Sequence, residues 1–76
     1  MLKRGSRVIL ITDVHGTSSN NPVQGSEYAC EGIVTQINNP KKVNDFNVAV
    51  DWDNGNSNVY AEENLEVVNA GYKTIW

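Results

Sequence analysis

Two constellations in this sequence have the residue types of acid–base chemistry. Asp13 lies two positions before His15, the single histidine of the chain. A carboxylate beside an imidazole can orient it as a general base. Asp51 and Asp53 flank Trp52, and paired acids serve a hydrolase when both converge on a pocket with separated pKa values. Neither constellation is complete. No nucleophile can be placed beside His15: Cys30 falls in a strand-like stretch, and Ser18 and Ser19 lie in a polar loop. Asp53 reads as a turn residue, where aspartate bonds its own backbone. One histidine among scattered carboxylates is not a ligand set for a metal. The expectation is a protein that is not an enzyme, with no catalytic residue, no metal and no cofactor.

The residues that remain are suited to binding. Trp52, Tyr60 and Tyr28 are ring-bearing positions around a hairpin. Rings converging on one point can hold a cation, and a ring pair across a hairpin can equally plug a small fold. Asp51, Asp53, Asn54, Glu62 and Glu63 form an acidic and polar strip fitted to a partner with a basic surface. Tyr72 and Trp76 in the tail are residue types common in interface hot spots. They serve either as a lid on the fold or as a docking element. Lys3, Arg4, Arg7, Lys41 and Lys42 offer the alternative of a nucleic-acid face, which pairs cations with stacking rings.

Strands must position these groups. Apolar residues alternate over 46–52, the period of a half-buried strand. Asp53-Asn54-Gly55 follows, and Asn-Gly is a strong hairpin signal because both positions tolerate positive φ. The expected strands are 6–12, 28–38, 46–52, 57–60 and 65–68. Val34 and Ile37 have opposite parity and share a face only with a bulge at Gly32 or a bend near Thr35. Residues 13–27 are rich in Gly, Ser, Asn and Pro and form a long loop, a kind that is often functional. Residues 61–64 suit one 3₁₀ turn. The expected core is Val8, Leu10, Ile33 or Val34, Ile37, Val48, Val50, Leu65 and Val67, joined by Val59.

Size and composition narrow the class. The 76 residues predict a single domain, 1–76, with its core at about 5–68 and a tail at 69–76. A chain this short hides only about 60% of its unfolded surface. One cysteine excludes an intrachain disulfide. That lone thiol and the lack of a leader-like segment predict a cytoplasmic protein. No stretch reaches the roughly 20 apolar residues of a membrane span. The formal charge of −3 gives no net attraction to phosphate backbones.

Gly5-x-Arg7-Val8, Gly32-x-Val34-x-x-Ile37, Val48-x-Val50-x-Trp52-Asp53-Asn54-Gly55, Tyr60 and Leu65-x-Val67 together resemble an SH3-like barrel. The likeness is to the Mindbomb-type, KOW and Tudor-like branches, and it covers about 5–68. It implies an all-β, five-stranded barrel with a long first loop and a 3₁₀ turn before the last strand. It also implies a binding role. The expectation is a small regulator or inhibitor acting on a protein partner, a profile that also fits a viral or mobile-element origin. The alternatives are a Tudor- or KOW-like nucleic-acid module and a structural subunit of a larger assembly.

Overall fold

The computed structural model describes residues 2–42 and 44–68. Five strands form one sheet: β1 (Arg7–Leu10), β2 (Gly32–Ile37), β3 (Val48–Trp52), β4 (Ser57–Tyr60) and β5 (Leu65–Val67). Their order is β4-β3-β2-β1-β5, and every neighbouring pair is antiparallel. β4 and β5 are the sheet edges, and no ladder joins them among the described residues. Hydrogen bonding therefore does not close the sheet into a barrel. A 3₁₀ turn, Glu62–Asn64, sits immediately before β5. No helix among the described residues is long and apolar enough to cross a membrane.

The buried face follows strand parity. Val8 and Leu10 of β1, Val34 of β2, Val48, Val50 and Trp52 of β3, Tyr60 of β4 and Leu65 of β5 make the core. The pairing of β2 with β3 slips between Val34 and Gln36. This bulge at Thr35 sets Val34 opposite Val50 and Ile37 opposite Val48, which reconciles their unequal parity. The Thr35 hydroxyl donates to the Ala49 carbonyl at 3.3 Å within the irregularity.

Two expected core residues lie elsewhere, and of the alternatives Ile33 and Val34 only Val34 is in the core. Ile33 pairs with Asp51, and Val59 pairs with Ala49, on the outer face of the sheet. Val59 is 43% exposed, whereas Tyr60 beside it is fully buried. Adjacent strand residues cannot both point inward, and the larger ring takes the core side. Val67 faces the same side as Val8 but sits at the end of edge strand β5 and stays exposed. Several strands are also shorter than expected. Tyr28 lies in the connection before β2, and Phe46 precedes β3 and is exposed.

The β3–β4 hairpin differs from a two-residue Asn-Gly turn. Gly55 N–H donates to Trp52 O at 3.0 Å, and Trp52 N–H donates to Asn56 O at 2.7 Å. Gly55 is left-handed at φ +94°, while Asn54 is not. These bonds define a three-residue loop, a tight turn followed by a left-handed glycine bulge. The connection between β1 and β2, residues 11–31, folds back on the sheet. Gln24 N–H donates to Leu10 O at 2.9 Å, and Asn21 and Pro22 are buried. The tail positions Tyr72 and Trp76 lie outside the described residues.

Candidate functional site

Trp52 and Tyr60 face each other across the hairpin, with ring centroids 5.7 Å apart at an interplanar angle of 72°. This edge-to-face geometry suits the ring quadrupoles. Trp52 is 3% exposed and Tyr60 is 0% exposed. Neither ring is open to a ligand in this arrangement, and Tyr28 makes no ring contact with either. Trp52 Nε1–H donates to the Tyr60 hydroxyl oxygen at 3.2 Å. The Tyr60 hydroxyl in turn donates to Asn21 Oδ1 at 2.7 Å, with Asn20 O at 3.1 Å. Burial pushes the Tyr60 hydroxyl above its ordinary pKa, which keeps this donor protonated.

That bond belongs to a row. Asn54, Asn56, Asn58 and Tyr60 recur at the period of a strand face, and each reaches the long loop. Asn54 Nδ2 donates to Ser19 O at 2.8 Å, and Asn56 Nδ2 donates to the same oxygen at 3.0 Å. Asn58 Nδ2 donates to Asn21 Oδ1 at 2.9 Å. Residues 19–21 are thereby laced to β4 and its turn. The partner-facing role expected for Asn54 competes with this use of its amide. The signal was present in the sequence as a period-two polar row, and reading only the apolar alternation of the hairpin missed it.

His15 also belongs to the β4 edge. Its Nε2 lies 2.9 Å from Val59 O. A carbonyl only accepts, so this ring nitrogen carries the proton. The ring meets Phe46 edge-on at 4.9 Å and lies 5.4 Å from Tyr60. Asp13 makes no hydrogen bond to His15. The imidazole covers an edge carbonyl that would otherwise be open to another strand.

Arg7 stands apart from the other expected cations. Its Nε and Nη2 donate to Glu31 Oε1 at 3.2 and 3.0 Å. Its Nη1 and Nη2 donate to the two carboxylate oxygens of Asp53 at 3.0 and 2.5 Å. The fork ties β1 to the segment before β2 and to the hairpin turn. Asp53 therefore lies in an ion pair and not in the self-bonded turn expected of it. Asp51 is exposed on the outer face of β3. Lys3 and Arg4 lie in the turn before β1, and Lys41 and Lys42 in the β2–β3 connection. All four are exposed, and none is in an ion pair among the described residues.

The hydrogen bond from Arg7 holds the Asp53 carboxyl below its ordinary pKa. A carboxyl depressed in the folded state stabilises fully above its unfolded pKa, about 4. That contribution is lost as pH falls through the lower folded value. The urea midpoint of Asp53→Asn should fall below wild type at neutral pH. The gap should narrow steadily as both proteins are acidified from about pH 4. A gap that stays constant on acidification would show that the carboxylate charge contributes nothing.

A cleft of about 310 Å³ lies between the β2–β3 connection and the 3₁₀ turn. Pro40, Lys42, Asp45, Asn47, Glu62 and Glu63 line it. Asp45 Oδ2 accepts from the backbone N–H of Lys41 at 2.8 Å, and Asn47 Nδ2 donates to Asn38 O at 2.6 Å. These bonds shape one wall. Glu62 and Glu63 line the other side, on a 3₁₀ turn held by Asn64, whose Oδ1 accepts from Ala61 N–H at 3.1 Å and whose carbonyl accepts from Ile11 N–H at 2.9 Å. The Glu62 and Glu63 side chains have no partner among the described residues. The structure thus brings Glu62, Glu63 and Lys42 to one cleft. It puts Asp53 with Arg7, leaves Asp51 on the outer face, and sets Trp52 and Tyr60 in the core. Among the described residues no three His, Cys, Asp or Glu side chains come together as a metal would require. In comparisons with known proteins, the chain matches no family model, no curated protein and no solved structure.

Proposed function

We propose that this chain is a non-enzymatic interaction module of the SH3-like barrel type that binds a basic segment of a protein partner. The antiparallel order β4-β3-β2-β1-β5, the long first loop and the 3₁₀ turn before β5 support the fold part of this reading. The observation that carries the binding part is the cleft beside the 3₁₀ turn, where the Glu62 and Glu63 carboxylates are unpaired. Unpaired carboxylates at a concave surface favour lysine and arginine side chains. The competing nucleic-acid reading loses Arg7, whose charge is already matched by Glu31 and Asp53.

The test is titration of the chain with a fluorescent lysine- and arginine-rich peptide and, separately, with duplex DNA. Glu62→Gln with Glu63→Gln should weaken peptide binding about tenfold, which corresponds to about 1.4 kcal/mol. Replacing Lys3, Arg4, Lys41 and Lys42 by serine should leave peptide binding in place. Equal peptide affinity for wild type and the glutamine variant would sink the reading. DNA binding that disappears in the serine variant would establish the nucleic-acid alternative instead.

A further inference from the structure

Asn54-Gly55 is a chemically reactive pair. A backbone nitrogen that precedes no Cβ is sterically free to attack the side chain before it. The Gly55 nitrogen loses its proton and bonds to Asn54 Cγ. The Cγ–Nδ2 bond breaks, and Nδ2 leaves as ammonia with that proton. Water then opens the five-membered imide at either carbonyl, giving aspartate or isoaspartate at position 54. The net change is amide plus water to acid plus ammonia, with no redox step.

The fold engages the nucleophile, the leaving group and the carbonyl oxygen of the reaction. The nucleophile, Gly55 N–H, donates to Trp52 O at 3.0 Å. The leaving group, Asn54 Nδ2, donates to Ser19 O at 2.8 Å. The oxygen that must accumulate charge, Asn54 Oδ1, accepts from Asn56 N–H at 3.0 Å. Attack requires the first bond to break and Nδ2 to leave Ser19 O, whereas the donor on Oδ1 favours the developing charge. The hairpin with the loop laced onto it therefore opposes the reaction, and local opening permits it.

The product changes the same contact. Aspartate at 54 is an acceptor only, and it would face the Ser19 carbonyl, which is also an acceptor. Isoaspartate inserts a methylene into the main chain of a turn whose spacing is set by Trp52, Gly55 and Asn56. We propose that Asn54 is a deamidation site gated by the long loop, and that its conversion loosens the loop from the hairpin. The Ser18–Asn21 turn reports on this, because each residue's N–H donates to the other's carbonyl, at 3.2 and 2.9 Å.

The experiment ages the full chain at 37 °C and about pH 8. Peptide mapping follows the one-dalton gain and isoaspartate at position 54, in buffer and in denaturing urea. Conversion should be at least tenfold slower in buffer, and Tyr60→Phe, which leaves Asn54 and Gly55 intact, should recover a several-fold increase. In hydrogen exchange, the Ser18 and Asn21 amides of Asn54→Asp should exchange at least fivefold faster than in wild type. The aged, converted wild-type fraction should show the same increase. Equal conversion in buffer and urea overturns the gating. No conversion at 54 in urea overturns the site, and unchanged exchange in both converted forms overturns the release.

Discussion

Gly32→Ala is expected to cost the fold about 3 kcal/mol, the upper part of the range for overpacking a filled core. A Cβ at position 32 would lie 2.5 Å from Trp52 Cε3, 2.8 Å from Val50 Cγ1 and 2.8 Å from the Asp51 carbonyl oxygen. A side chain can swing aside, but Asp51 O is main chain of the paired strand. Relief therefore requires β2 and β3 to separate where Gly32 pairs with Trp52. Separation at this point also shifts the Trp52 ring from Tyr60. For a domain of this size each kcal/mol moves the midpoint by about 4–8 °C. The melting temperature, followed by near-ultraviolet circular dichroism, should drop by about 12 °C or more. A shift of only about 2 °C would mean that β2 and β3 accommodate a methyl group with little loss, contrary to this geometry.

Tyr60→Phe keeps the ring and deletes one oxygen, and it is expected to cost about 2 kcal/mol. The hydroxyl accepts from Trp52 Nε1–H and donates to Asn21 Oδ1. Without it, a buried indole N–H has lost its acceptor, and an unsatisfied buried donor carries its full desolvation penalty. Asn21 Oδ1 keeps the donation from Asn58 Nδ2, so the loop side is only partly undone. The effect should appear as a lower urea midpoint with an unchanged slope, because the surface exposed on unfolding is nearly the same. Fluorescence should report a changed Trp52 environment in the native state. A variant as stable as wild type would show that a water satisfies the indole, and the polar chain from Trp52 to the loop would then add no stability.

Much of the fold was legible along the chain. Ser57–Tyr60 and Glu62–Asn64 appear where turn chemistry and apolar alternation put them. The bulge at Thr35 was readable because Val34 and Ile37 cannot share a face without one. Val8, Leu10, Val48 and Val50 occupy the core positions that strand parity assigns. Local pattern is enough for these features because backbone period and turn geometry are properties of neighbouring residues.

The candidate site was less legible. Glu62 and Glu63 were recognisable as acidic positions, but their shared cleft with Lys42 depends on how the β2–β3 connection meets the 3₁₀ turn. Arg7 belonged by composition to a basic set. Its actual neighbours, Glu31 and Asp53, come from two other segments. Nothing local to Arg7 specifies that a turn and a pre-strand segment will both arrive beside it.

Sequence order alone therefore carried the strands, the hairpin, the bulge and most of the core, since these follow from spacing and from residue type at short range. Tertiary structure decided three things. It chose Tyr60 over Val59 for the interior and closed the indole–hydroxyl–amide chain to Asn21. It drew residues 19–21 onto the Asn54, Asn56 and Asn58 row. It moved Arg7 from a free cation to a clasp between two carboxylates. The common reason is that a polar group's role is set by the partner it meets, and those partners are brought together only when the chain folds.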